Sequence, residues 1–350
     1  MSLEQELSAA IDGEVRFDRV SRALYSTDAS IYQIDPLGVV VPRSAEDVVR
    51  VVRIAAAHGT SITPRGGGTS QAGQAIGSGL VLDTSKYLNR ILEVKADERW
   101  ARVEPGVVLD DLNGHLRPAG LRFAPDLSSA SRATVGGMMA NNSSGARSVV
   151  YGKTIDHVLE QHVVLADGSV SHLRPLSTSE LTAACGGRGI EADVYRVVPR
   201  LAAQHAEEID RRFPKVLRRV GGYNLDELTK PDRPVNLTKI MVGSEGTLGI
   251  VVEAKIQLVP LPKARIVLVV AFDDLLEALA ATPTALRHGP SAVEVMDAFI
   301  LGHTRESATL DALRRSILTT EAAGVLCIEF AGGQADELPP RLALSTKAIR

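Results

Sequence analysis

The chain has 350 residues, of which 45% are hydrophobic and 23% are charged, a composition typical of an ordinary globular protein. Its 39 basic and 42 acidic residues give a net charge of −3, so composition gives no support for nucleic-acid binding or for electrostatic docking to a membrane. Two cysteines, Cys185 and Cys327, are too few for a disulfide framework, a CxxC zinc site or an iron–sulfur cluster.

The N-terminal segment is acidic and lacks a long apolar stretch, so it does not have the pattern of a secretory signal. The longest apolar runs in the chain are far too short for a transmembrane segment. We therefore expect a cytoplasmic protein, with peripheral contact at the inner membrane left open. The sequence does not indicate an oligomeric state.

The first part of the sequence alternates short β patterns with helical ones. An apolar run at 39–42 ends in proline, a helical pattern covers 45–58, and a β pattern returns at 61–64, which predicts the start of a βαβ unit. Before residue 262 we further predict strands at 80–83, 90–94, 100–104, 161–165, 170–173 and 247–259, and helices at 108–116, 133–142 and 190–213. Residues 1–30 are expected to be a lead-in with a short helix and a loop, and residues 31–262 an α+β domain of mixed sheets.

A second unit opens after the Pro-Leu-Pro sequence at 260–262. We predict a strand at 265–272, a helix at 273–288, mostly helix over 296–319, a strand at 324–330 and the start of a helix within 335–350. Two strands with their helices cannot bury both faces of a sheet well. We therefore expect residues 263–350 to be the start of a truncated substrate domain.

The most informative stretch is the glycine loop, PRGGGTS at 64–70, which is followed by Gly73. Consecutive glycines allow positive φ angles and close backbone approach, and successive amides in such a loop can converge on an anion such as a phosphate. The hydroxyls of Thr69 and Ser70 add further donors. The spacing matches neither the P-loop nor the GxGxxG dinucleotide fingerprint, and for an isolated loop a plain tight turn is the alternative.

Two more small-residue patches follow along the chain. The second patch combines FAPDLSS at 123–129 with ATVGGMMANNSSG at 133–145, and such a wall lets a flat heterocycle lie against the backbone. A packing seam between helices is the alternative, and it explains the paired glycines at 136–137 but not residues 141–145. The third patch, GSEGTLGIV at 243–251, leads into a strand, and a loop with an edge strand is its alternative.

In this order, the three patches resemble the FAD-binding domain of the vanillyl-alcohol oxidase / p-cresol methylhydroxylase (PCMH) superfamily. The resemblance is carried by PRGGGTSQAGQ at 64–74, LVLDTSKYLNRILEV at 80–94, VEPGVVLDDLN at 103–113, FAPDLSSASRATVGGMMANNSSG at 123–145, YGKTIDHV at 151–158 and GSEGTLGIVVEAKIQLVPLP at 243–262. It implies an α+β fold in which a PCMH-type FAD-binding domain of two subdomains precedes an incomplete ferredoxin-like substrate domain of the FAD-oxidase C-terminal type.

A finer resemblance is to the long bacterial D-2-hydroxyglutarate dehydrogenases, which are similar to the flavin subunits of D-lactate and glycolate dehydrogenases. It rests on SIYQ at 30–33, FPK at 213–215, GYNL at 222–225, NLTKI at 236–240 and SAVEVMD at 291–297. This resemblance implies oxidation of D-2-hydroxyglutarate or D-lactate to the 2-oxo acid by hydride transfer to flavin N5. The electrons would pass to an iron–sulfur module or to quinone. The alternatives are another oxidoreductase of the superfamily, of the glycolate or alcohol oxidase type, and a non-catalytic FAD-binding fragment.

The resemblance also implies which residues bind the cofactor. Residues 66–70 would hold the FAD pyrophosphate, residues from the second patch would line the flavin and its ribityl chain, and the strand after the third patch would contact the cofactor. Some superfamily members anchor the flavin through a histidine where this chain has Thr69, so non-covalent FAD is implied. The residues expected to bind the cofactor are Arg65, Gly66, Gly67, Gly68, Thr69, Ser70, Gly73, Gln74, Asp126, Ser128, Thr134, Gly137, Asn141, Ser144, Gly145 and Ile250.

The chain also departs from the family pattern. The histidine-rich GHxGDGNxH metal motif and the iron–sulfur cysteines do not occur in these residues, so a divalent metal and a cluster are expected only in a missing C-terminal region. The eight histidines are scattered, and His157 and His162 are interpreted as structural rather than as metal ligands. No residue is predicted to be catalytic, and the chain alone is expected to be inactive.

Overall fold

The computed structural model describes residues 1–230, 232–318, 320–334, 336 and 338–349, and the chain forms two compact units. The first unit comprises Met1–Ser143 and Lys153–Val259. The second comprises Ser144–Gly152 and Pro260–Arg350, so a short segment from the middle of the first unit's sequence belongs to it.

Helices and strands are numbered in chain order over the described residues. The helices are α1 Leu3–Ala10, α2 Arg19–Leu24, α3 Ala45–Ala57, α4 Leu109–Leu116, α5 Val135–Asn141, α6 Ser148–Tyr151, α7 Thr154–His157, α8 Thr178–Gly186, α9 Ile190–Gln204, α10 Ala206–Arg212, α11 Thr238–Met241, α12 Leu275–Leu286, α13 Ala298–His303, α14 Ala308–Ile317 and α15 Leu338–Ile349. The strands are β1 Glu14–Arg16, β2 Gly38–Val41, β3 Ile62–Arg65, β4 Leu80–Asp83, β5 Ile91–Lys95, β6 Trp100–Val103, β7 Leu121–Phe123, β8 Val158–Val164, β9 Val170–Leu173, β10 Ile250–Pro260, β11 Ala264–Phe272, β12 Ala292–Asp297 and β13 Gly324–Gly332. None of the helices in the described part of the chain is both long enough and apolar enough to cross a bilayer.

The predicted βαβ start is confirmed in a four-stranded sheet of order β1-β2-β4-β3. Strands β2, β4 and β3 are parallel, and β1 joins β2 in antiparallel pairing. Helix α3 connects β2 to β3, and the Ser44 hydroxyl caps it by accepting a hydrogen bond from the amide of Asp47 at 3.2 Å. Its apolar side, with Val48, Val51 and Val52, is buried against this sheet. The glycine loop begins where β3 ends.

Strand β10 links two hydrophobic cores of the first unit. It lies in the middle of a six-stranded sheet of order β5-β6-β10-β8-β9, in which β7 also pairs with β10. Buried and half-buried residues alternate along its length, as expected for a strand with two different faces. Ile250 and Val252 pack in the core with α3, whereas Ile256 and Leu258 pack in the core with α4 and α5. The third patch therefore enters the sheet at a fixed place.

The second unit contains an antiparallel sheet of order β11-β13-β12. The prediction of two strands was wrong, because β12 was missed. Its short sequence contains two acidic residues, and it becomes a strand by pairing with β13, which is distant in sequence. Leu326, Ile328 and Phe330 form the buried core of this unit together with α12 and α15. The helix predicted within 335–350 is present as α15, while residues 335, 337 and 350 lie outside the described part.

Three further predictions in the first unit were wrong in detail. The single helix predicted over 190–213 consists of α9 and α10, which meet at His205. Helix α8 was missed, although Ser177 and Glu180 form a capping box at its start. The lead-in contains α2 and also β1, whose strand character comes from pairing with β2 rather than from its own sequence.

A pair of stacked histidines lies on the polar face of the six-stranded sheet. The rings of His162 and His172 have centroids 4.3 Å apart and planes inclined by 15°. Glu253 lies 3.3 Å from His162 Nδ1, and Glu160 lies 2.9 Å from His172 Nε2. Burial lowers the pKa of His162, and the neighbouring His172 lowers it further. The fold therefore favours the neutral form of His162.

This histidine generates a prediction about stability against pH. The pKa of His162 is lower in the folded protein than its ordinary value of 6.5. Its contribution to the free energy of unfolding is therefore fully present above pH 6.5 and is lost as the pH falls towards the pKa in the folded state. Replacing His162 by Gln should therefore reduce the fall in Tm between about pH 7.5 and about pH 5. Thermal unfolding of wild type, H162Q and the exposed-site control H115Q at both pH values measures this. A pH dependence in H162Q equal to that of wild type contradicts the prediction.

Candidate cofactor site

The three patches meet in the first unit, where they line one cleft. The cleft contains a cavity of about 60 Å³, so a ligand of dinucleotide size would lie mostly along the open surface. Its lining comes from the start of the glycine loop, from α5 and from the third patch. The residue after β4, the loop before α4 and α11 add one residue each. The lining residues are Pro64, Arg65, Gly66, Thr84, Pro105, Gly136, Gly137, Ala140, Met241, Ser244, Gly246, Gly249, Ile250 and Val251.

The glycine loop packs directly on the segment that precedes α5. A Cβ atom placed on Gly66 would overlap Thr134 Oγ1, and one placed on Gly67 would overlap the carbonyl oxygen of Arg132. Thr134 is itself buried, and its hydroxyl caps α5 by accepting a hydrogen bond from the amide of Gly137 at 3.3 Å. Two glycines are therefore required here because no side chain fits between the two backbones.

The third patch is attached to the C-terminal end of α5. The amide of Gly243 donates to the carbonyl of Met139 at 2.9 Å, and the amide of Glu245 donates to the carbonyl of Ala140 at 3.0 Å. Gly246 has a φ of +77°, and a Cβ atom placed on it would lie 3.0 Å from Pro64 Cδ. These contacts place the third patch against the start of the glycine loop.

Arg65 supports the glycine loop from behind. Its Nη1 donates to the carbonyl oxygens of Thr27 at 2.8 Å and Ala75 at 3.0 Å. Its guanidinium occupies the space beside Gly68, where a side chain would collide with it, and the φ of +64° at Gly68 also favours glycine. The carbonyl of Gly68 accepts a hydrogen bond from the amide of Ala29 at 3.1 Å. The lead-in thus fixes the shape of the loop.

The loop leaves a row of amides without protein acceptors. In the part of the chain that the structure describes, none of the backbone amides from Gly66 to Ser70 donates a hydrogen bond to another residue. The loop is half-buried, with Gly67 exposed, so these donors are open to a ligand. Successive free amides are what the anion site predicted from the sequence requires, and the residues present therefore fit a diphosphate group.

The predicted site residues fall into groups by their position. Arg65, Gly66, Gly137 and Ile250 line the cleft. Gln74 is close to the third patch, with its Nε2 donating to Glu245 Oε1 at 3.3 Å, and its side chain is also bonded to the Ser70 hydroxyl. The predicted residues of the first unit that do not line the cleft are Gly67, Gly68, Thr69, Ser70, Gly73, Gln74, Asp126, Ser128, Thr134 and Asn141. Ser144 and Gly145 belong to the second unit.

Several lining residues were absent from the predicted set. Most of them stand in strings that carried the resemblance, such as Ser244, Gly246 and Gly249 in the third patch and Gly136 in the second. Their exposure to the cleft depends on how the patches fold together, which the strings alone do not reveal. Met241 carried no signal, because it is brought to the cleft by α11.

A larger cavity, of about 410 Å³, lies elsewhere in the first unit. It is lined by Val158, Leu159, Glu160, Pro175, Glu227, Arg233, Pro234, Asn236 and Lys239. Lys239 Nζ donates to the carbonyl oxygens of Ile155 at 2.5 Å and Val158 at 3.2 Å. Burial lowers the pKa of this lysine. Its ammonium group therefore ties α7 to the start of β8, and this structural use explains its burial.

The histidines interpreted as structural are packed within the first unit. His157 is buried, and its ring meets Phe123 edge-on with centroids 6.1 Å apart. His162 is the stacked histidine of the six-stranded sheet. Across the described residues, the His, Cys, Asp and Glu side chains form no group of three or more arranged to hold a metal ion.

Two family models match the chain. A model described as an FAD binding domain matches residues 36–174, which include the glycine loop and the second patch. A model described as the C-terminal domain of FAD linked oxidases matches residues 261–349. The chain therefore carries an FAD binding domain and the C-terminal domain of FAD linked oxidases. FAD is therefore its cofactor, and the α+β arrangement of a PCMH-type FAD-binding domain followed by an FAD-oxidase C-terminal domain is confirmed.

Curated proteins similar to this chain include dehydrogenases of 2-hydroxy acids. It is 40% identical to D-2-hydroxyglutarate dehydrogenase of Pseudomonas putida over 85% of this chain and 30% of the relative. It is 39% identical to D-2-hydroxyglutarate dehydrogenase of Escherichia coli over 94% of this chain and 33% of the relative. It is 32% identical to glycolate oxidase subunit GlcD of Bacillus subtilis over 92% of this chain and 58% of the relative. The chain thus spans about a third of the length of the D-2-hydroxyglutarate dehydrogenases that it matches.

A solved structure shows the same fold at low sequence identity. Alkyldihydroxyacetonephosphate synthase aligns with a TM-score of 0.68 and 20% identity, over 99% of this chain and 57% of that chain. At this identity the likeness concerns the fold alone.

The cleft generates a prediction at Gly137 that separates ligand binding from folding. Gly137 is exposed in α5, lines the cleft, and has only Thr134 Oγ1 near the place of a Cβ atom, at 3.3 Å. Gly137→Leu should therefore keep the Tm of wild type or raise it slightly through helix propensity, and should weaken FAD binding by at least about tenfold.

Helix α4 offers a matched control, because Gly114 is also helical and exposed, and nothing lies within 4 Å of the place of its Cβ atom. Gly114→Leu should leave FAD binding unchanged. Titration of the apoprotein with FAD, followed by flavin fluorescence, measures both variants. Equal FAD affinity in Gly137→Leu and Gly114→Leu would show that Gly137 does not line the FAD site.

Proposed function

We propose that this chain binds FAD non-covalently along the cleft and takes part in the oxidation of a D-2-hydroxy acid to the 2-oxo acid. The observation that carries the proposal is the row of free amides from Gly66 to Ser70, held beside the meeting point of the three patches. A loop of this kind is suited to the diphosphate that joins the two halves of FAD.

The residues of the chain would bind and orient the cofactor. Residues 66–70 would donate their amides to the diphosphate, and Gly73 and Gln74 would continue the loop. Gly137 and Ile250 would form the wall beside the flavin, because both line the cleft. Thr69 stands where some superfamily members have a histidine, which supports non-covalent binding. Asp126, Ser128, Thr134, Asn141, Ser144 and Gly145 complete the proposed flavin-lining set.

The reaction removes the α-hydrogen of the substrate as a hydride and the hydroxyl hydrogen as a proton. FAD, when bound, supplies the acceptor of the hydride at flavin N5. Protein groups must grip the substrate carboxylate and take up the proton. We assign neither role to a residue of this chain.

The substrate is proposed from the relatives. D-2-hydroxyglutarate is favoured, because the relatives of that name are 39% and 40% identical to this chain. D-lactate is the second choice, because a D-lactate dehydrogenase of Anaerostipes hadrus is 27% identical over 95% of the chain. An iron–sulfur module or quinone remains the proposed electron acceptor, and a cytoplasmic location remains a prediction. The domain boundaries 1–30, 31–262 and 263–350 also remain a proposal.

The first test is the colour of the purified protein. The chain should be yellow as isolated, or turn yellow after incubation with FAD and gel filtration, and acid should release the flavin because it is not covalently attached. A protein that remains colourless after incubation with FAD contradicts the proposed cofactor site. Colour that stays with the acid-precipitated protein contradicts non-covalent binding.

The second test is reduction of the bound flavin without oxygen. Dithionite should bleach the flavin, whereas D-2-hydroxyglutarate, D-lactate and glycolate should leave it oxidised, because we assign neither the carboxylate grip nor the proton acceptor to a residue of this chain. Bleaching by a D-2-hydroxy acid would overturn that assignment. Bleaching by a simple alcohol, but by none of the acids, would overturn the substrate class.

A further inference from the structure

A turn in the third patch contains a backbone conformation that most residues avoid. Glu245 has a φ of +52° and Gly246 a φ of +77°, so both central residues of the turn from Ser244 to Thr247 lie in the left-handed region. Glycine adopts this region freely, whereas a residue with a side chain does so at a cost and stays there only where the surrounding structure holds it. Glu245 is therefore a point of backbone strain.

The strained turn forms part of the wall of the cleft. Ser244 and Gly246, the residues on either side of Glu245, both line it. The amide of Glu245 donates to the carbonyl of Ala140 at 3.0 Å, and its carboxylate accepts a hydrogen bond from Gln74 Nε2 at 3.3 Å. A change in the shape of this turn would therefore move two lining residues together.

Thr247 closes the turn with two hydrogen bonds. Its amide donates to the carbonyl of Ser244 at 3.0 Å, and its hydroxyl donates to the same oxygen at 2.6 Å. A hydroxyl carries a single hydrogen, so the Thr247 oxygen can only accept in any further bond. The hydroxyl oxygens of Thr247 and Tyr223 are 2.8 Å apart, and this hydrogen bond is therefore donated by the tyrosine.

Tyr223 belongs to a separate segment that is anchored beside the third patch. The neighbouring Asn224 is only 2% exposed, and its Nδ2 donates to the carbonyl oxygens of Val242 at 2.8 Å and Lys239 at 3.3 Å. The amide of Leu225 donates to the carbonyl of Tyr223 at 3.0 Å. The phenol group therefore extends from a backbone that is held in place. Tyr223 is 43% exposed and does not itself line the cleft.

We propose that Tyr223 is a positioning residue for the cofactor. Its hydroxyl donates to Thr247 and so holds the strained turn in the shape that places Ser244 and Gly246 along the cleft. The inference rests on the proposed FAD site and deepens it, because a residue outside the lining set then controls how tightly FAD binds. Support of this kind, by a hydrogen bond from behind the lining residues, keeps a binding site preorganised.

The test removes the two hydroxyls separately and together. Tyr223→Phe keeps the ring, Thr247→Val removes the acceptor, and Thr247→Ser keeps it. The double variant Y223F/T247V completes a cycle that isolates the interaction between the two groups. Tyr87→Phe is the matched control, because the Tyr87 hydroxyl also donates within the first unit, to Glu14 Oε1 at 2.5 Å, and Tyr87 does not line the cleft. The readouts are the Kd for FAD, the visible circular dichroism of bound flavin, hydrogen exchange of peptides covering 243–249 in the apoprotein, and Tm.

In Tyr223→Phe, exchange over 243–249 should accelerate, the flavin dichroism should change, and FAD should bind about fivefold more weakly, while Tm stays close to that of wild type. Thr247→Val should weaken FAD binding at least as much, and Y223F/T247V no more than Thr247→Val alone. Thr247→Ser and Tyr87→Phe should bind FAD as wild type does. If Thr247→Val fails to fold, the comparison of Tyr223→Phe with Tyr87→Phe carries the test.

Faster exchange with an unchanged flavin dichroism and Kd would make the hydrogen bond merely structural and overturn the inference. Weaker FAD binding with unchanged exchange, equal losses in Tyr87→Phe, or additive losses in Y223F/T247V would overturn it too. A wild-type chain that binds no FAD would overturn the proposed function, whereas exchange in the apoprotein would still show whether Tyr223 holds the turn. The two failures are thus distinguishable.

Discussion

The whole cofactor site depends on one close contact between two stretches of backbone. Gly66 and Gly67 lie against Thr134 and Arg132 with no room for a Cβ atom. This contact brings the end of β3 to the start of α5, and the third patch then joins them through the end of the same helix. Without it, the amides of the glycine loop would not stand beside the wall that is proposed to hold the flavin.

The surrounding structure serves to hold that contact in place. Arg65 mainly stabilises the glycine loop, since its guanidinium donates hydrogen bonds to two carbonyl oxygens and fills the space beside Gly68. Strand β10 contributes to two cores and so fixes where the third patch begins. Rigid support of a loop that leaves its own donors unsatisfied is the arrangement expected of a preorganised binding site.

Local sequence signals were sufficient where the structure depends on local interactions. The patterns at 39–42, 45–58 and 61–64 predicted the βαβ start. The family resemblance carried by the three patches and their neighbouring strings implied the PCMH-type fold and FAD. The errors arose where long-range pairing decides the outcome. Strand β12 exists because it pairs with β13, and Met241 reaches the cleft through α11. Ser144 and Gly145 belong to the second unit, although the sequence around them lies within the first.

The most direct measurement of the central claim compares the affinity of the apoprotein for FAD, FMN and riboflavin. All three carry the same isoalloxazine ring, but only FAD carries a diphosphate. If the free amides of residues 66–70 bind that diphosphate, FAD should bind far more tightly than FMN, and riboflavin should bind most weakly. Equal affinities for the three flavins would contradict the account, because the glycine loop would then contribute nothing to recognition.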